Sequence, residues 1–171
     1  MRTFLAMTCA TSLLLCAAVA LAGQPDEAKF PNLTRSWKAL QEARGHLQRA
    51  EAAHARTGTL GGHGGQAVAA VDAALGEIDQ AIQFADSHRK PGAPGVVTPK
   101  PPLVSRPDDA KYPNLGEARL ATEWALRHIE DAMQYHAPTG TLGGHGEKAV
   151  QHCRRALAEI GEAERWADTH R

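Results

Sequence analysis

Apolar residues in this chain recur at helical spacing in two stretches, and the same pattern returns 82 positions later. In the first stretch Leu33, Leu40 and Leu47 stand seven apart with Trp37 on the same stripe, which makes one face of an α-helix. In the second, Val68, Val71, Leu75, Ile78, Ile82 and Ala85 alternate at three and four residues. That narrow seam favours helices packed at a shallow angle, and the many neighbouring alanines favour close approach. Leu115, Ala118, Ala125, Ile129 and Met133 repeat the first stripe, while Val150, Cys153, Leu157, Ile160 and Ala167 repeat the second. Asn32 reads as the N-cap of the first helix, and Asn114 with Glu117 reads as a partial capping box in the second copy. The first helix is expected to end near Ala55 or Arg56, and Pro138 sets a similar stop in the second copy.

Residues 26–89 align with 108–171 without a gap, and 31 of the 64 pairs are identical. A fixed internal period of this kind marks one structural unit copied in tandem. Between the copies, residues 90–107 hold six of the ten prolines, a composition that excludes helix and predicts an extended, semi-stiff spacer. The expected organisation is a leader at 1–22, a helical hairpin at 23–89, the linker at 90–107 and a second hairpin at 108–171. Each hairpin alone leaves an apolar stripe uncovered. The expected fold is therefore all-α, an antiparallel four-helix bundle built from two tandem hairpins. The alternative is two independent hairpins, each pairing with another chain, and the linker length permits either.

Composition narrows the setting. Arg2, the apolar run from Leu5 to Ala20 and the Ala20-Leu21-Ala22 triplet have the pattern of an export signal cleaved after Ala22. Cys9 and Cys16 would leave with it, so Cys153 alone remains and no internal disulfide can form. The protein is thus expected in the periplasm or secreted, with a mature form not embedded in membrane. The formal charge of +0 provides no field for nucleic acid or anionic lipid, and no nucleic-acid-binding motif is present.

The chemistry centres on an octet found twice, T-G-T-L-G-G-H-G, at 57–64 and 139–146. His46/His128, His54/His136, His63/His145 and His88/His170 are matched between the copies. His54 is expected on the last turn of the first helix and His63 at the start of the second, with His136 and His145 doing the same in copy two. In an up-down-up-down bundle both turns share one end. His54, His63, His136 and His145 would then converge on a site for zinc, copper or nickel, ions suited to neutral imidazole. The competing reading makes the turn structural, closing the hairpin or docking a protein partner with no metal. His88 and His170 read as residues that favour the C-terminal dipole. Haem held between His54 and His136 is a third reading, although the C-x-x-C-H motif of covalent attachment is absent. Glu51-x-x-His54 has di-iron spacing, but Met133 breaks it in copy two. Cys153 beside His152 replaces Val71 and reads as a packed thiol. The three tryptophans read as core or seam residues. No P-loop, nucleophile elbow or repeated acid–base pair is evident, so no enzymatic activity is expected.

Pro113-Asn114-Leu115 and the run Gly143-Gly144-His145-Gly146-Glu147-Lys148-Ala149 resemble small exported bacterial helical-hairpin proteins. Those carry P-N-L before one helix and G-G-H-x-x-K-A into the next. Copy one departs from the pattern with Gln66 in place of the lysine. The spaced histidines on alanine-rich helices are also loosely similar to the periplasmic small metal-binding family of histidine-rich bundles, whose histidines are far denser. That resemblance implies divalent metal binding, copper or nickel, through His54, His63, His136 and His145.

Overall fold

The computed structural model describes residues 25–56, 58–88, 104–136 and 140–170. Four long helices dominate: α1 (Pro31–His54), α2 (His63–His88), α3 (Pro113–His136) and α4 (His145–Thr169). Short 3₁₀ turns at Thr59–Gly62 and Thr141–Gly144 join α1 to α2 and α3 to α4, and a third at Pro107–Ala110 leads into α3. The expected hairpins and the all-α bundle are both present, and no described residue is in a strand. No helix among the described residues is long and apolar enough to cross a membrane. The leader and most of the linker lie outside the described residues.

The helix starts differ from the expected caps. α1 begins at Pro31, and Phe30, rather than Asn32, takes the N-cap position. Proline suits the first helical position, because its fixed φ is already helical and its missing N–H has no partner to lose there. The Phe30 carbonyl accepts the first helical bond from Thr34 N at 2.8 Å, and Tyr112 does the same for Gly116 N at 2.9 Å. Asn32 falls inside the helix and is buried. The helix ends fit better, at His54 and His136.

Leu33, Leu40, Leu47, Val71, Ile78, Leu115, Ile129 and Ile160 are almost wholly buried, as the stripes predicted. Between α2 and α4 the core is thinner than the seam suggested. Val68 and Ile82 are only partly buried, while Ala67, Ala74, Ala81, Ala149, Ala156 and Ala163 are shut in. Small side chains on both helices let their backbones approach closely, beside the equally enclosed Val71, Ile78, Cys153 and Ile160.

The relative direction of the two hairpins decides the rest. His63, at the start of α2, bonds Glu159 in the second half of α4, and His145, at the start of α4, bonds Glu77 in the second half of α2. α2 and α4 therefore run antiparallel. His54, at the end of α1, lies by Tyr112 at the head of α3, and His136, at the end of α3, lies by Phe30 at the head of α1. α1 and α3 are antiparallel as well. The hairpins pack head to tail around a pseudo-two-fold axis, and each helix finds its main neighbour in the opposite copy. The order is up-down-down-up, not the up-down-up-down arrangement expected. The two turns lie at opposite poles, ~32 Å apart along the stretch of α4 from His145 to Trp166.

Candidate functional site

Each pole is built from the turn of one hairpin and the open end of the other. In the first turn the chain enters the left-handed region repeatedly: Gly58 at φ 101°, Leu60 at 54°, Gly61 at 64° and Gly62 at 83°. The second turn repeats this with Gly140, Leu142, Gly143 and Gly144. Leucine at positive φ is uncommon and costs roughly 1–2 kcal/mol. The cost is met because Leu60 and Leu142 are driven into the core, at 0% and 1% exposure, and a buried leucine returns about 1.5–3 kcal/mol. The glycines between them are fixed by a neighbour. A Cβ on Gly61 would stand 2.4 Å from the Trp166 ring, and one on Gly143 would stand 2.6 Å from the Phe84 ring. Trp166 and Phe84 are the same repeat position, so each turn seats the aromatic residue of the other hairpin. Trp166 is thus a cover for a turn rather than a seam residue.

Behind each turn sits a histidine–carboxylate pair that joins the hairpins. His63 Nδ1 lies 2.9 Å from Glu159 Oε2, and His145 Nδ1 lies 2.7 Å from Glu77 Oε2. An ionised carboxylate only accepts, so Nδ1 donates, and in the neutral imidazole the lone pair is then on Nε2. Both imidazoles are part-buried, with side-chain exposures of 30% and 21%. Sequence reasoning missed the glutamates. The signal was there: Glu77/Glu159 is the single glutamate position held by both copies. The expectation of no repeated acid–base pair is corrected accordingly.

The expected gathering of His54, His63, His136 and His145 does not occur. Along α4, the levels of His63 and His145 are ~21 Å apart, the rise from residue 145 to residue 159. His54 and His136 stand at the two ends of α3, ~36 Å apart. That separation also excludes them as the two axial ligands of one haem. Among the described residues, no three His, Cys, Asp or Glu side chains are grouped to hold a metal ion. His54 Nδ1 donates to the Ala50 carbonyl at 2.9 Å, which closes the last turn of α1.

His88, His170 and His128 have local contacts. His88 Nδ1 donates to the Phe84 carbonyl and its ring stacks on Phe84 at 4.0 Å, and His170 does the same on Trp166 at 4.2 Å. Each thus joins a last-turn carbonyl to an aromatic face at its helix end. His128 is buried and stacks on Trp124 at 4.5 Å. Cys153 is fully enclosed, and burial, with a smaller push from Glu130, raises its thiol to about 12. It is therefore a neutral packing group at ordinary pH, not a thiolate ligand.

Position 37 in copy one is tryptophan, and its equivalent in copy two is Arg119. Arg119 is buried and pairs with Asp109 at 2.6 Å and with Glu123 at 2.9 Å. Burial works against the charge on Asp109, but hydrogen bonds from Arg119, the Arg106 amide and Ser105 outweigh it and hold the carboxyl below its usual range. Gly116 leaves room for this, since a Cβ there would fall 2.7 Å from Asp109.

No family model, curated protein or solved structure matches the chain.

Proposed function

We propose that the protein is a non-enzymatic helical interaction module of the exported space. In this reading its Gly-Gly-His turns lock two hairpins into one body. The carrying observation is the reciprocal pair His63–Glu159 and His145–Glu77, which commits the Nδ1 atoms of both turn histidines to holding the hairpins together. Loss of residues 1–22 would deliver this module to the periplasm or the exterior.

A second reading keeps divalent metal, copper, nickel or zinc, as a partner. It is favoured by one observation. A carboxylate on Nδ1 is the usual way to orient a metal-binding histidine, and here it leaves Nε2 as the second ring nitrogen of the part-buried His63 and His145. The ion would bind singly at each pole, with water or another molecule completing its shell.

Isothermal titration of residues 23–171 with each ion separates the two. The interaction reading expects no histidine-dependent uptake, and a His63→Ala/His145→Ala variant that is helical but less stable. Two ions bound per chain, both lost in that variant, would displace it in favour of metal.

A further inference from the structure

Both hairpins carry both halves of the contact that joins them. Each has a turn that receives an aromatic ring and a ring that covers a turn, Gly61 under Trp166 and Gly143 by Phe84. Each also contributes a histidine and a glutamate to the crossed pairs. No part of this surface depends on the hairpins belonging to one molecule. We infer that the partner fitting it is a second copy of this chain, which exchanges hairpins to form a domain-swapped dimer whenever the linker cannot reach back.

The linker geometry is the control. α2 ends at the pole of the second turn, and α3 begins at the pole of the first, so the connection must cover the length of α2, ~37 Å. The 24 residues between His88 and Pro113 reach at most ~80 Å when extended. Intramolecular closure therefore has ample slack, and a tether of this kind holds the two hairpins at an effective concentration in the millimolar range. Cutting the slack removes that advantage without touching the interface, the circumstance in which swapping costs least.

Pairing is also selective between the copies. Glu42 and Trp124 occupy the same repeat position and line the same shallow groove between α1 and α3, beside the pseudo-axis. A first hairpin paired with its own kind would set Glu42 against Glu42. The first-with-second pairing sets Trp124 there instead.

Deleting residues 90–103 leaves ten residues between α2 and α3. With the 3₁₀ turn at Pro107–Ala110 kept, they reach ~28 Å, short of the crossing. The deleted chain is expected to keep its helicity and to elute at twice the monomer mass. A helical monomer would overturn the inference. Should the deletion fail to fold, the full-length chain carrying a protease site at 95–96 decides the matter. Cleaved after folding, its two hairpins should co-elute one to one. They should also exchange partners with a tagged nicked copy. Fragments that separate, or that stay together and never exchange, overturn it.

Discussion

Leu60 and Leu142 show how a residue can be forced into an unfavourable backbone because its side chain has nowhere better to go. Their left-handed φ aims both side chains into the core, and the glycines on either side let the chain turn under an aromatic ring. Gly61 and Gly62 separate the two requirements. Both have positive φ, but only Gly61 has Trp166 within reach of a Cβ. Gly62→Ala is expected to cost ~1 kcal/mol, for the left-handed conformation alone. Gly61→Ala should cost ~2–4 kcal/mol, since the ring must move as well. Urea unfolding followed by tryptophan fluorescence measures both, and equal losses would remove Trp166 as the reason for glycine at position 61. The octet was plain in the sequence. Its cause was not, because the ring that demands the glycine comes from 105 residues away.

At the scale of elements, the helices follow from spacing, and their differences follow from single exchanges between the copies. Where α1 has Trp37 packed against the core, α3 has Arg119 buried with Asp109 and Glu123. That pairing ties the 3₁₀ turn at Pro107–Ala110 to α3. Removing one partner leaves the others as buried charge, so Arg119→Ala should destabilise by ~3 kcal/mol at neutral pH. The sign with pH is set by Asp109, whose folded carboxyl lies below its usual value. Its contribution is complete above the unfolded value of ~3.9 and is lost as pH falls through the folded one. Wild type and Arg119→Ala should therefore converge in urea midpoint below about pH 4. A gap that stays constant into acid would show that the charge on Asp109 is not what Arg119 serves. This site was hidden in the sequence because an arginine inside an apolar stripe reads as an exposed residue until a turn folds over it.

For the whole molecule, the head-to-tail packing makes the two poles separate places. His63 and His145 share no neighbour that the geometry would couple. His63→Ala and His145→Ala should each cost ~0.5–1 kcal/mol, the usual worth of a partly exposed pair. The double variant should equal their sum within ~0.5 kcal/mol. Chemical denaturation of the four proteins tests this, and a large coupling energy would mean that the two imidazoles act at one site. The same packing accounts for the linker, which must run from pole to pole and is long enough to do so.

The sequence by itself determined the hairpins, because helical spacing, proline positions and glycine turns are local properties and the repeat states them twice. It also held the matched histidines and the matched glutamate. Only the tertiary structure decided which of these meet. An 18-residue proline-rich linker accommodates parallel or head-to-tail hairpins with little difference in chain entropy. The choice therefore fell to packing: two aromatic rings seated on two turns, and two carboxylates placed across from two imidazoles. That packing turned one expected cluster of four histidines into a crossed pair of contacts, one behind each turn.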